Sequence, residues 1–124
     1  MTEPREDAAA ALPLAVTYAP DGRMAEAVHA LVGRVGAVAG APERATPFAA
    51  AVQQVVTWVT THRADLASDV VMTFEREGDR LRGHLRWTTL ADPQAPTVSG
   101  GDGVDVACDV DGHEVRCRIS CPCA

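Results

Sequence analysis

From Phe48 onward an apolar side chain returns at Val52, Val55 and Val59, the i, i+4, i+7, i+11 spacing that aligns residues along one stripe of an α-helix. Ala51 and Val56 widen the stripe, while Gln53, Gln54, Thr57, Thr60 and Thr61 fall on the opposite face. That face is polar yet carries no charge. Thr46 suits an N-cap and Pro47 the first helical position, where a missing N–H costs nothing. The spacing therefore predicts a helix over residues 46–63, TPFAAAVQQVVTWVTTHR.

A second stripe lies upstream over residues 24–39, with Met24, Val28, Leu31, Val35 and Val38 in phase. Gly33 and Gly36 each weaken it by about 1 kcal/mol relative to alanine, so tertiary packing must hold it. Gly40-Ala41-Pro42 ends it. Residues 12–18, LPLAVTY, alternate with Leu12, Leu14 and Val16 on one side and read as a strand. The turn Ala19-Pro20-Asp21-Gly22 follows, with Asp21 placed to cap the next helix.

After the second helix the period shortens to two. Residues 69–76 and 80–88 form a hairpin around Glu77-Gly78-Asp79, with Val70, Met72 and Phe74 on one face and Leu81, Leu85 and Trp87 joining them. Residues 90–103 are a loop rich in proline, glycine, serine and threonine. Residues 104–110 and 113–121 pair around Asp111-Gly112, with Val104, Val106, Cys108 and Val110 facing the same way as Val115, Cys117, Ile119 and Cys121. A two-residue Asp111-Gly112 turn sets Cys108 opposite Val115 and Val106 opposite Cys117, which makes Cys108 and Cys117 diagonal neighbours. Strand, helix, helix and two hairpins predict an α+β fold: a two-layer α/β sandwich with both helices on one face of a mixed or mainly antiparallel sheet. Residues 1–10 read as a disordered tail, 11–121 as a single domain and 122–124 as a cysteine-containing end.

With 124 residues and 47% apolar content, the chain can build one core, and with only five aromatic residues that core is mostly Val, Leu and Ala. The net charge of −6 argues against a general nucleic-acid binder. All eleven basic residues are arginine, so no lysine nucleophile or phosphate-binding lysine exists. The acidic opening MTEPREDAAAA lacks the pattern of a signal peptide, and no stretch reaches eighteen uninterrupted apolar residues. A soluble cytoplasmic protein with reduced thiols is expected.

Three groups of residues qualify as sites. The row Arg80, Arg82, His84, Arg86 reads as a solvated sheet face, or, through Arg82 and Arg86, as a protein-docking surface. Trp58, off the main apolar stripe, either forms a binding patch with Trp87 or covers the side of the sandwich. Cys108, Cys117, Cys121 and Cys123 lie within sixteen residues, with His113 at the turn. Cys108 and Cys117 alternate with valines as core cysteines do, whereas Cys121-Pro122-Cys123 could swing back to supply thiolates to Zn²⁺ or Cu⁺, or act as a thiol handle. His29, His62 and His84 lie on separate elements and read as surface histidines.

The turn Tyr18-Ala19-Pro20-Asp21, the paired helices and GDRLRGHLRWTTLADP over residues 78–93 together resemble the histidine-kinase-like ATPase fold (GHKL), most closely the bacterial anti-sigma-factor serine kinases. In that family the second helix carries a Glu-x-x-x-Asn box, in which Glu is the base and Asn holds Mg²⁺. Laid on this chain, those positions are Gln53 and Thr57. Glutamine accepts no proton, and threonine is a short, weak ligand for a hard cation. The adenine-binding Asp of the family falls on Trp87, which has a donor but no acceptor. The loop over residues 90–103 is too short for an ATP lid, glycine box and helix. Ser99-Gly100-Gly101-Asp102-Gly103 leads into a strand, leaving no helix N-terminus for a phosphate.

The resemblance thus implies an inactive ATPase-like domain with no catalytic residues and no cofactor, acting as a regulatory protein-binding module. Its partner would be a sigma factor or an anti-sigma antagonist, with a homodimer also compatible, and neither nucleic acid nor membrane is expected. A thiol or metal-binding protein is the alternative. An active ATP-dependent serine kinase is the third reading, and requires Gln53, Thr57 and Trp87 to be misaligned.

Overall fold

The computed structural model describes residues 13–21, 23–38, 42–90, 92–99 and 103–122, with the side chains of 36–38 and 42–45 undescribed. The expected N-terminal tail, Leu12 and Cys123 lie outside these residues. The elements in order are β1 (Leu14–Tyr18), α1 (Met24–Val38), α2 (Pro42–Thr61), a 3-10 turn (Arg63–Asp65), β2 (Val70–Glu77), β3 (Arg80–Thr88), β4 (Asp105–Asp111) and β5 (Glu114–Pro122). The five strands make one sheet in the order β1-β2-β3-β5-β4, and every neighbouring pair is antiparallel. Both helices pack on one face, the two-layer α+β sandwich that the alternation of periods predicts. No helix among the described residues is long and apolar enough to cross a membrane.

The core lies between the helices and one face of the sheet. Phe48, Val52, Val55, Val56 and Val59 of α2 and Met24, Val28, Leu31, Val32 and Val35 of α1 are buried against Met72, Phe74, Leu81, Leu85, Trp87, Val115, Cys117 and Ile119. Gly83 breaks the run of large residues in β3 because two rings occupy its space. Phe48 and Phe74 meet edge to face with centroids 6.2 Å apart, and a Cβ on Gly83 would lie 3.0 Å from Phe48 Cζ. Asp21 forms the turn that leads into α1 and is not its N-cap: its Oδ1 accepts from the Arg23 N–H at 2.9 Å, its carbonyl accepts from Met24 N–H at 3.1 Å, and the Arg23 carbonyl accepts from Ala27 N–H at 3.1 Å.

Two further local expectations are corrected. The second helix begins at Pro42, so Thr46 is not its cap and Pro47 lies inside it. Pro42 satisfies the same preference for proline in the first turn, and Pro47 costs a single backbone hydrogen bond one turn later. The second correction is the register of the last hairpin. Asp111 pairs with Glu114, so Gly112 and His113 form the turn and Cys108 stands directly opposite Cys117. Gly112 has φ +65° and Gly78, at the same point of the first hairpin, has φ +63°. In both hairpins glycine takes the first of the two central positions, where the turns that match strand twist demand positive φ. An Asp111-Gly112 turn would put aspartate there instead.

Candidate functional site

The positions that the resemblance assigns to a nucleotide site do other work. Gln53 is half-buried between the helices, and its Nε2 donates to the Ala25 carbonyl at 3.3 Å, joining α2 to α1. Gln54 binds the loop after β3 at two points: Nε2 donates to Ser99 O at 3.0 Å, and Oε1 accepts from Ser99 N–H at 3.1 Å. With Pro96 buried, this clamp ties the described end of the loop, at Ser99, to α2. Thr57 is exposed, and its carbonyl accepts from the hydroxyls of Thr60 at 3.1 Å and Thr61 at 2.8 Å. Trp87 is 1% exposed in the core. Gln53 thus faces α1, Thr57 faces solvent and Trp87 faces the core, so these three side chains do not converge. Replacing Gln54 with alanine is expected to cost about 1 kcal/mol. It should also speed protease cleavage within residues 92–99, with limited proteolysis as the check.

Trp58 is half-buried on the helix side, its ring 5.9 Å from that of Trp87 and stacked at 4.1 Å on His62. His62 Nδ1 lies 2.8 Å from the Trp58 carbonyl. Since a carbonyl only accepts, this nitrogen carries the proton. Arg82 and Arg86 project from the opposite face of the sheet, so Trp58 and these arginines do not form one patch.

The open face has a definite charge pattern. Alternation brings Arg80, Arg82, His84 and Arg86 of β3 beside Glu114, Arg116, Arg118 and Ser120 of β5. Across β4 the neighbours are Asp105, Ala107, Asp109 and Asp111, and across β2 they are Val71, Thr73, Glu75 and Glu77. None of these sixteen side chains is buried. Arg86 stands directly opposite Arg116, and His84 opposite Arg118. Arg86 and Arg116, like charges so paired, repel. Glu114 lies between the two arginines, with Oε2 3.5 Å from Arg86 Nη1 and Oε1 3.0 Å from Arg116 Nε.

The remaining acids form a rim. Arg82 pairs with Glu77 at 2.7 Å, Arg80 with Asp105 at 3.0 Å, Arg116 with Asp111 at 2.7 Å and Arg118 with Asp109 at 3.9 Å. Hydrogen bonding to Glu114, with the charges of Glu114, Asp111 and Asp109, holds the Arg116 guanidinium still more firmly protonated than usual. Such exposed pairs orient side chains more than they stabilise the fold. A shallow groove of about 360 Å³ runs over Arg82, His84, Asp105, Ala107, Arg118 and Ser120. A second, of about 290 Å³, runs over His84, Arg86, Asp109, Arg116 and Arg118. The β3 part of this face was legible in the sequence, whereas the parts on β4 and β5 went unrecognised there. Their signal was present, because the polar members of the alternation Asp105, Asp109, Asp111 and Glu114, Arg116, Arg118 had to face away from the valines and cysteines.

Among the described residues the cysteines do not gather around one ion. Cys121 is 1% exposed and paired with Leu81 inside the sheet, and Pro122 continues the strand opposite Arg80. Residue 121 therefore cannot swing back as a free end. His113 is in the turn, its carbonyl accepting from Thr89 N–H at 2.9 Å. Among the described residues no cluster of three or more His, Cys, Asp or Glu side chains suits a metal. No protein-family model, no curated protein and no solved structure matches the chain.

Proposed function

We propose that this chain is a non-catalytic, regulatory protein-binding module that docks its partner on the open face of the sheet. The observation that carries this reading is the unburied pair at the middle of the face, Arg86 directly opposite Arg116 with Glu114 between them. A sheet that only needed a solvated face would gain from alternating signs there. Two facing arginines bounded by Asp105, Asp109 and Asp111 suit a protein surface of complementary mixed charge, with a carboxylate meeting the arginine pair. The same acidic rim repels a nucleic-acid backbone. Gln53 bracing α1, Thr57 facing solvent and Trp87 filling the core fit a domain without a working nucleotide site, and the resemblance supplies the ATPase-like part of the reading. The resemblance makes a sigma factor or an anti-sigma antagonist the first partner class to test.

Two measurements test the reading. Mg²⁺-ATP is expected to leave the melting temperature unchanged, whereas a ligand at a hundred times its Kd would add about 2.7 kcal/mol. Titration against purified sigma factors and their antagonists is expected to yield a complex that Arg86→Ala with Arg116→Ala weakens about tenfold or more. Trp58→Ala, on the other side of the sheet, should leave that complex unchanged. A nucleotide-induced shift, or a complex indifferent to both arginines, would overturn the proposal.

A further inference from the structure

We propose that Cys108 and Cys117 are a reactive cross-strand thiol pair, with Cys108 attacking small-molecule disulfides and Cys117 resolving the adduct into an intramolecular disulfide. The geometry follows from the corrected register. Beside a two-residue turn the closing pair, here Asp111 and Glu114, exchanges both backbone hydrogen bonds, and bonded and non-bonded pairs then alternate along the hairpin. Counting back from the turn makes Cys108 and Cys117 a non-bonded pair. Such pairs bring Cα atoms to about 4.5 Å, at the near end of the roughly 4.4–6.8 Å that a disulfide spans. Both side chains point to the helix side of the sheet, between the apolar pairs Val106–Ile119 and Val110–Val115.

The two thiols differ in access and acidity. Cys108 is half-exposed on β4, the edge strand, whereas Cys117 is fully buried beside it. A hydrogen bond from the Cys117 thiol favours the Cys108 thiolate and lowers its pKa, against smaller opposing effects of burial and Asp109. The same hydrogen bond raises the Cys117 pKa strongly, with burial and the charge on Cys108 adding to it. Cys108 is therefore the thiol that ionises and meets solvent first.

The chemistry balances with a low-molecular-weight disulfide, RSSR, as the oxidant. The Cys108 thiolate attacks one sulfur, the S–S bond breaks and RS⁻ leaves, giving Cys108–S–SR. Capping Cys108 removes its charge and its capacity to hold the Cys117 proton, so two of the causes that keep Cys117 protonated vanish. Cys117 then passes its proton to the thiolate released and attacks Cys108 Sγ, expelling a second RS⁻ that takes up the proton lost when Cys108 ionised. Two protein thiols and one RSSR become one protein disulfide and two RSH, with two electrons passing to the small molecule.

The reduced full chain, treated with glutathione disulfide and followed by intact mass and peptide mapping, tests the pair. A Cys108–Cys117 disulfide is expected, preceded by a glutathione adduct on Cys108. In Cys117→Ser the adduct on Cys108 should persist, and in Cys108→Ser modification at Cys117 should slow about tenfold or more. A wild-type chain that forms no such disulfide would overturn the inference without recourse to any variant. So would an adduct that maps first to Cys117.

Discussion

Replacing Trp87 with aspartate, the residue that the anti-sigma-kinase pattern asks for, is expected to unfold the domain without creating a nucleotide site. Trp87 is 1% exposed, within 5.9 Å of Trp58 and paired in β5 with Val115. Truncating a buried tryptophan to alanine costs about 3–5 kcal/mol. An unpaired carboxylate in the same space adds several kcal/mol unless it takes up a proton. The sum is comparable to the whole stability of a domain, about 5–15 kcal/mol. Trp87→Phe is the informative companion. The indole Nε1 is buried and has no hydrogen-bond partner among the described residues. Removing it relieves an unsatisfied donor, which offsets part of the volume lost, and Trp87→Phe should cost about 1 kcal/mol. Urea denaturation of the wild-type chain and the two variants gives these differences directly. A folded Trp87→Asp chain stabilised by Mg²⁺-ATP would contradict the reading of residue 87 as core and reinstate the nucleotide site.

Gly83→Val is expected to be the most damaging small substitution in the sheet, at about 3 kcal/mol, with Gly83→Ala near 1 kcal/mol. A Cβ at residue 83 meets Phe48 Cζ at 3.0 Å and the Phe74 ring at 3.1 and 3.2 Å. For alanine the rings must yield by a few tenths of an ångström. The branched methyl groups of valine reach further, and Phe48 is held by the α2 stripe that fixes the whole helix layer. Shortening Phe48 to leucine should therefore recover part of the Gly83→Ala loss, a coupling that a double-mutant cycle measures. Additive losses would mean that the space at Gly83 is not set by Phe48.

The open face and the thiol pair connect these local features to function. β4 supplies the acidic rim and, on its other side, Cys108. A disulfide to Cys117 would tie that edge strand to β5 directly behind Asp109 and Arg116, which are paired across the same two strands. A disulfide on the helix side would thus reach the face proposed for docking through one strand.

Much of this was legible in the residues alone. The stripes from Met24 to Val35 and from Phe48 to Val59 turned out to be buried faces, and alternation from Val70 to Trp87 separated core from arginines, because such periods follow from backbone geometry. Gly78 and Gly112 marked the turns, since glycine bears positive φ without penalty. What the residues left open depends on partners distant in the chain. Whether residue 108 faces 115 or 117 turned on which side of Gly112 the turn lay, and a one-residue change there moves every cross-strand pair. That Gln53 braces Ala25, Gln54 holds Ser99 and Arg86 meets Arg116 was decided by packing two helices and five strands into one sandwich. Periodicity is a property of each segment and can be read from it. Pairing is a competition among segments for burial and hydrogen bonds, and it exists only once the chain has folded.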